Sequence, residues 1–186
     1  MTPFTVLTGP AAVLDRANID TDQIIPARFL HQPRNAGYGR FLFADLGLHL
    51  PAGATILVAG DNFGCGSSRE GAVYALVDAG IRCVIAPGFG DIFAGNAAQN
   101  GLLTVTLALP DMRNGDTLTV DLPAATVRLP DGTAHGFAID PFRKQRLLEG
   151  RDDIDLTLTH RADIAAFGAR DRTARPWALT GGALTG

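Results

Sequence analysis

Apolar residues along the chain fall into runs of strand length that alternate with segments of helical spacing. A short run at residues 4–7 is followed by one at residues 55–59, after which a glycine-rich turn leads into apolar positions spaced as in a helix up to Gly80. Two further runs lie at residues 81–86 and 102–109, with a turn and a short helical segment between them. This alternation indicates βαβ units and a parallel sheet.

After Asn114 the pattern changes to short segments in which apolar and polar residues alternate. Three such segments, TLTVDL, ATVRLP and TAHGFAI, follow one another, and Asp131-Gly132 is a hairpin turn signal between the last two. We therefore predict an antiparallel β lobe here, and an α/β fold class for the chain.

The C-terminal part contains two predicted helices. Asp140 supplies an N-cap, Pro141 occupies the first helical position and Gly150 ends the same helix. A second helix is predicted for residues 160–170, and residues 178–186 are expected to be a disordered tail.

Composition favours a globular protein without nucleic-acid or membrane partners. The 186 residues are 46% hydrophobic, and the net charge of -3 comes without a basic cluster. The N-terminus lacks a signal-peptide pattern, and no apolar run approaches the roughly 18 residues of a membrane span. We expect a cytoplasmic protein.

The two cysteines do not have the spacing of a metal or redox motif, and the histidines are isolated, so no metal site is predicted. Cys83 lies in an apolar run and is expected to be a buried thiol. Cys65 lies in the glycine-rich turn, where a packing role is favoured over nucleophilic catalysis because no His is close in sequence.

The turn GDNFGCGSSRE, residues 60–70, carries the candidate chemistry. N–H groups at a helix start lack internal partners and bind anions. Ser67 with Glu70 fits a capping box, in which both side chains are structural. A cation in the first helical turn opposes the dipole by roughly 0.3–1 kcal/mol, so Arg69 needs another explanation. Bidentate binding of a substrate carboxylate is the functional interpretation, and a solvated surface arginine is the alternative.

Two aspartates precede this turn in NIDTDQIIPARFL. Asp20 and Asp22 are two residues apart, so in an extended segment they project to the same side. Turn chemistry is the favoured interpretation, since Asp readily accepts hydrogen bonds from nearby backbone N–H groups. The pair is weak evidence for a Ca²⁺ or Mg²⁺ site, because two carboxylates without further oxygen ligands do not complete one.

Four segments, NIDTDQIIPARFL, GDNFGCGSSRE, FGDIFAGNAAQNGLL and IDPFRKQRLLEGRDDIDLTL, follow one another along the chain. Together and in this order they resemble the small subunit of 3-isopropylmalate dehydratase, a family related to the swivelling domain of aconitase. The resemblance extends to about Trp177. It implies one domain over residues 1–177 with the swivelling β/β/α fold of aconitase domain 4, comprising a parallel βαβ core, the antiparallel lobe and C-terminal helices.

The resemblance also implies a hydro-lyase of leucine biosynthesis that interconverts 2-isopropylmalate and 3-isopropylmalate by removing and adding water. In this chemistry a [4Fe-4S] cluster acts as a Lewis acid and a serine removes a proton from the neighbouring carbon. By motif match, Ser67 is the base, Arg69 holds a substrate carboxylate and Ser68 supports the site. Asp22 matches the active-site aspartate of the DTD segment.

The same resemblance implies a partner. Such a cluster needs at least three protein thiolates, and this chain has two cysteines. No cofactor is therefore expected on this chain, and a large cluster-bearing subunit is expected to complete an active site between the two. The loop after the DTD segment places Arg28 and His31 near the variable side chain of the substrate.

Some positions depart from the family pattern. Gly71 stands where the family usually has the His of SREHA, and residues 95–100 with Thr104 replace most of NNCFKNGLLP. Because Ser67 and Arg69 match the family motif, the same reaction type is still expected, but the identity of the substrate is not determined. The alternative is a paralogous hydro-lyase that acts on citraconate with methylmalate, dimethylmaleate or a longer alkylmalate.

Two other function classes are weaker. A stand-alone anion-binding module is disfavoured because the turn has neither the lysine of a P-loop nor GxGxxG spacing. A non-catalytic subunit that stabilises its partner is disfavoured by the intact Ser67, Arg69 and Asp22.

Overall fold

The computed structural model describes residues 1–109 and 111–178, which divide into two compact units on either side of the bond between Gly150 and Arg151. The first unit contains a β-sheet with helices packed on it, and the second is helical. None of the helices described is long and apolar enough to cross a membrane.

In the first unit, the described strands form one sheet in the order β4-β3-β2-β1-β5-β6-β7. The strands are β1 Val6–Leu14, β2 Ile56–Ala59, β3 Cys83–Ala86, β4 Leu103–Thr106, β5 Thr117–Asp121, β6 Thr126–Arg128 and β7 Ala134–Gly136. Neighbouring strands from β4 to β1 in this order are parallel to one another. β1 and β5, β5 and β6, and β6 and β7 are antiparallel pairs. The predicted α/β class is confirmed, and the predicted hairpin turn joins β6 to β7, with Gly132 at φ +89°.

Strand β1 joins the two halves of the sheet. Residues 6–10 pair with β5, and residues 11–14 pair with β2. The strand predicted at residues 4–7 is too short, because Gly9 and Pro10 are unfavourable in strand interiors and interrupt the sequence pattern. The predicted antiparallel lobe consists of β5 to β7, which continue the parallel sheet beyond β1.

Four helices are described in the first unit: α1 Thr21–Ile24, α2 Glu70–Asp78, α3 Asp91–Gln99 and α4 Pro141–Glu149. Short 3₁₀ turns follow α1 at Ala27–Phe29, Arg34–Ala36 and Tyr38–Phe41. The caps predicted for α4 are confirmed. Asp140 Oδ1 accepts a hydrogen bond from the Arg143 N–H at 2.9 Å, and Gly150 has φ +64°.

Both faces of the parallel half are buried. In β2, Leu57 and Ala59 belong to the core shared with α2, whereas Ile56 and Val58 belong to a second core that includes Leu147 of α4. Burial on both faces explains why these strands are continuous apolar runs in the sequence.

The second unit contains α5 Asp153–Leu158, α6 Arg161–Ala174 and a 3₁₀ turn at Pro176–Ala178. α6 confirms the helix predicted for residues 160–170. Large apolar side chains are exposed in this unit: Ile154, Leu158, Ile164, Phe167 and Trp177. The single domain over residues 1–177 stays a prediction. The predicted tail at residues 178–186 lies, except for Ala178, outside the described residues.

Candidate active site

The loop of residues 60–69 connects the carboxyl end of β2 to the start of α2. Ligands of open α/β sheets bind at this edge. Two of its glycines have left-handed backbones, Gly64 at φ +73° and Gly66 at φ +89°. A Cβ built on Gly64 would lie 2.2 Å from Phe93 Cγ, so a glycine is needed for the loop to lie against α3.

The segment before α1 runs along this loop and holds it. The Gly64 N–H donates to the Ile19 carbonyl at 2.7 Å, and the Thr21 N–H donates to the Cys65 carbonyl at 3.0 Å. The hydroxyl of the buried Thr21 donates to the backbone carbonyl of Ser67 at 2.9 Å. The backbone of Ser67 is thereby fixed while its side chain stays exposed.

Thr21 is a positioning residue that the sequence reasoning missed. Its partner Ser67 is 46 residues away in the chain. Its position between the two aspartates of the DTD segment was the available signal, but local turn chemistry was the simpler explanation of that segment.

The two aspartates have different roles. Asp20 is the N-cap of α1, and its Oδ1 accepts a hydrogen bond from the Gln23 N–H at 2.7 Å, which confirms turn chemistry for this residue. The two residues do not lie in an extended segment, because the chain turns into a helix at Thr21. Asp22 instead forms an ion pair with Arg69.

The predicted capping box at Ser67 and Glu70 is also wrong. α2 begins at Glu70, and Arg69 is the N-cap residue but makes no side-chain capping hydrogen bond. Glu70 Oε1 instead accepts a hydrogen bond from Asn100 Nδ2 at 2.8 Å, just after α3. The backbone of Arg69 is extended, with φ −135° and ψ 99°, and the N-cap lies two residues later than the capping box predicts.

Arg69 is therefore the N-cap residue of α2, where the helix dipole still opposes its positive charge, and the carboxylate of Asp22 offsets that charge. The Arg69 side chain is 20% exposed and that of Asp22 is 52% exposed. A paired guanidinium, the exposed Ser67 and Ser68, and a helix N-terminus therefore lie together at the edge of the sheet. Such a set can bind a carboxylate and stabilise a developing negative charge.

Arg28 is engaged elsewhere. Its Nη1 donates to Asp45 Oδ2 at 2.8 Å, its Nη2 donates to the other oxygen, and its guanidinium carbon lies 4.5 Å from the Phe29 ring centroid. The hydrogen bonds from Arg28 hold the pKa of Asp45 below its usual range. Substrate binding by Arg28 stays a prediction.

His31 is exposed and follows Leu30 in the chain, and substrate contact by His31 stays a prediction. A Cβ built on Gly71 would lie 2.6 Å from Leu30 Cδ2, so Leu30 packs on the first turn of α2. Gly71 comes two residues after Arg69. A larger side chain at position 71 would require the end of the Leu30 side chain to move.

The cysteines do not form a cluster site. Cys83 is buried in β3, as predicted, and burial raises the pKa of its thiol. Cys65 is half-buried in the loop. Across the described ranges, no group of three or more His, Cys, Asp or Glu side chains is placed to hold a metal ion.

Asp78 at the end of α2 anchors the segment that follows His31. It accepts hydrogen bonds from the Arg34 guanidinium on both oxygens, with Nη2 to Oδ1 at 2.7 Å, and from the Tyr38 N–H at 2.7 Å. Burial by itself raises the pKa of Asp78, but the hydrogen bonds and the charge of Arg34 outweigh it and lower the pKa.

We expect Asp78→Asn to lower the free energy of unfolding by about 1–3 kcal/mol, since hydrogen bonds to charged groups contribute about that much. The pKa of Asp78 is lower in the folded than in the unfolded state. Its stabilisation is therefore present above the ordinary carboxyl pKa and is lost as the pH falls through the lowered one. The difference between wild type and variant should narrow in acid.

Denaturant unfolding at neutral pH and at about pH 3 measures both effects. Asp45→Asn is the matched control, because it breaks a bidentate pair whose two side chains are both more than half exposed. Its effect should be smaller, since exposed pairs contribute little. Equal losses in the two variants would contradict the anchoring role of Asp78.

Comparison with known proteins places this architecture in a family. The aconitase C-terminal domain matches at residues 49–110, LeuD_N at residues 111–141, and the C-terminal domain of the 3-isopropylmalate dehydratase small subunit at residues 153–180. The 3-isopropylmalate dehydratase small subunit of Rhodospirillum centenum is 48% identical, and that of Rhodopseudomonas palustris 46% identical, each over 96% of this chain and 100% of the relative.

A solved structure agrees. The crystal structure of 3-isopropylmalate dehydratase from Methanocaldococcus jannaschii matches with a TM-score of 0.72 and 28% identity, over 88% of this chain and 99% of that chain. Identity of nearly one half along almost the whole length, together with this shared fold, confirms the resemblance. The chain belongs to the family of 3-isopropylmalate dehydratase small subunits.

Proposed function

We propose that this chain is the small subunit of a 3-isopropylmalate dehydratase, which interconverts 2-isopropylmalate and 3-isopropylmalate in leucine biosynthesis. The observation that carries the proposal is the turn at Ser67–Arg69, where an exposed hydroxyl stands next to a guanidinium paired with Asp22 at a helix N-terminus. The names of the relatives suggest the reaction, and a hydroxyl and a guanidinium in one turn support it because they suit a base and a carboxylate-binding group.

In this proposal Ser67 is the base. Its alkoxide oxygen takes a proton from the carbon next to the one that bears the hydroxyl group, the C–H electrons form the double bond, and the hydroxyl leaves as hydroxide. In the return step hydroxide adds to the carbon that lost the proton, and the Ser67 hydroxyl gives its proton to the other carbon and is an alkoxide again. A serine alkoxide needs stabilisation, for which the α2 dipole and the charge of Arg69 are suited. Ser67 is available for this because it does not cap α2.

Arg69 is proposed to bind a substrate carboxylate through its planar fork of N–H donors. The ion pair with Asp22 would orient the guanidinium, and Asp22 itself is half exposed beside the site. Ser68 is proposed to support this grip. Arg28 and His31 are proposed to contact the variable alkyl group.

The partner is proposed to be a large subunit that carries a [4Fe-4S] cluster. This chain does not fit the cluster, because it has two thiols and one of them, Cys83, is buried in a strand. The cluster would supply Lewis acidity toward the leaving hydroxyl. The small subunit would contribute the base and the carboxylate grip.

Anaerobic co-expression with the cluster-bearing chain of the same genome tests the proposal. We expect the purified complex to form the unsaturated acid from 2-isopropylmalate, measured by ultraviolet absorbance, and each chain alone to be inactive. Activity of the large chain without this one would contradict the role of Ser67.

A panel of dicarboxylates in the same assay separates isopropylmalate from other substrates. Isopropylmalate should have the highest kcat/KM among isopropylmalate, methylmalate, dimethylmaleate and longer alkylmalates. A stable complex that does not act on isopropylmalate but turns over another acid would support the proposed reaction at Ser67–Arg69 and contradict isopropylmalate as the substrate.

A further inference from the structure

We propose that Asn100 is a positioning residue that keeps the carboxylate of Glu70 away from the Ser67–Arg69 turn, so that the turn stays open to a carboxylate of the substrate. This inference rests on the proposed function. It concerns the contact between the start of α2 and the end of α3.

The Glu70 side chain is directed toward the end of α3. Its Oε1 accepts a hydrogen bond from Asn100 Nδ2 at 2.8 Å. Asn100 Nδ2 also donates to the backbone carbonyl of Asn96 at 2.9 Å, so both N–H groups of the carboxamide are used. The backbone N–H of Asn100 donates to the carbonyls of Asn96 and Ala97, at 3.2 and 3.1 Å. The group that binds Glu70 is therefore itself fixed on α3.

A second group holds the same carboxylate from within α2. Tyr74 lies one helical turn after Glu70, at a spacing that brings two side chains together. Burial raises the pKa of the Tyr74 hydroxyl, and so does its hydrogen bond with Glu70. The Arg34 guanidinium covers the Tyr74 ring, with its carbon 4.4 Å from the ring centroid. Contacts from α3 and from α2 itself thus hold one carboxylate.

The helix dipoles act against this position of Glu70. Asn100 is the C-cap residue of α3, where the carbonyl groups make the helix end negative. Glu70 is the first residue of α2, where the N–H groups make the helix end positive. Among the hydrogen bonds of the described residues, none is donated by the backbone N–H of Glu70 or Gly71. A carboxylate released by Asn100 would therefore leave the end of α3 and bind these N–H groups.

A carboxylate bound at the start of α2 would compete with the substrate. Arg69 directly precedes Glu70. The proposed function needs the Arg69 guanidinium for a substrate carboxylate and the α2 dipole for the Ser67 alkoxide, and a tethered negative charge would offset both. Asn100 belongs to the segment FGDIFAGNAAQNGLL, and its bond to Glu70 gives this residue a role at the site.

The kinetic test compares Asn100→Ala, Glu70→Ala and the double variant in the assembled complex, with 2-isopropylmalate as substrate. We expect Asn100→Ala to raise KM about 3–10-fold, the factor that corresponds to a carboxylate at a helix N-terminus. The value of kcat should change less than about twofold, because bound substrate displaces the competing carboxylate. Glu70→Ala, alone or added to Asn100→Ala, should give a KM within about twofold of the wild-type value.

Recovery in the double variant separates positioning from a contact that only stabilises the fold. In the second case, loss of either partner would raise KM equally and the double variant would not recover. Either result would overturn the inference. Asn100→Asp keeps the shape of the side chain but lacks the N–H donors, so it should repeat the behaviour of Asn100→Ala.

Asn96→Ala is the matched control, because it changes the same residue type one turn earlier on α3. Asn96 binds Asn100 through its backbone carbonyl, which alanine retains. KM should be unchanged in this variant. A rise in KM equal to that of Asn100→Ala would assign the effect to the end of α3 in general and overturn the role of Asn100.

Nuclear magnetic resonance of the full chain gives a readout that does not depend on the substrate. An amide proton that binds a carboxylate moves downfield. We expect the amide protons of residues 70 and 71 to move downfield in Asn100→Ala and to return in the double variant with Glu70→Ala. Unchanged amide protons in Asn100→Ala would overturn the inference. A wild-type complex that is inactive on isopropylmalate would instead overturn the proposed function, and the resonance result would stand separately.

Discussion

Ser67→Ala in the assembled complex should lower kcat for 2-isopropylmalate by a factor of about 10²–10⁴, the usual contribution of a positioned general base. Among the described contacts of Ser67, none made by its side chain would explain such a loss. The Ser67 side chain is exposed, and the loop holds this residue through its backbone carbonyl, which alanine retains.

The melting temperature and the assembly with the large subunit should therefore be unchanged, since exposed substitutions usually alter stability by less than about 0.5 kcal/mol. Ser68→Ala is the neighbouring control. It should lower kcat by less than about tenfold, because a supporting hydrogen bond contributes about 1 kcal/mol. Normal turnover of the Ser67→Ala variant would contradict the proposal that Ser67 is the base.

Arg69→Lys should lower kcat/KM by a factor of about 10–150, because hydrogen bonds between charged groups contribute about 1.5–3 kcal/mol. Lysine keeps the positive charge but lacks the planar fork that binds a carboxylate in bidentate fashion. Steady-state kinetics of the complex should show most of this loss in KM.

Asp22→Asn separates orientation from charge at the same site. It leaves the Arg69 fork in place and removes the negative partner of the guanidinium. A carboxamide oxygen still accepts a hydrogen bond, so the loss should be smaller than in Arg69→Lys. If Arg69→Lys had a normal KM while Asp22→Asn did not, the carboxylate would have to bind elsewhere.

Features that depend on neighbouring residues followed from the sequence. The parallel strands appear as apolar runs because they are buried on both faces, and the caps of α4 act within a few residues. The glycines of the 60–69 loop indicated a turn between a strand and a helix, and the motif matches indicated the family. Periodicity and capping are local, so the chain order alone is enough to predict them.

Features that depend on the path of the chain did not follow from the sequence. Strand β1 lies between the parallel and the antiparallel half of the sheet, and its Gly9 and Pro10 interrupt the apolar pattern that would have indicated its full length. Helix α2 starts at Glu70 in spite of the local capping signal, and the Ser67 carbonyl accepts a hydrogen bond from Thr21, 46 residues earlier in the chain.

The same holds for the site. The sequence by itself determined that Ser67 and Arg69 share a turn at the edge of a parallel sheet. Tertiary structure decided that Arg69 pairs with Asp22 and that Arg28 pairs with Asp45. Each of these is a contact between segments distant in the chain, whose geometry depends on how the sheet and α2 pack and not on the residues beside it.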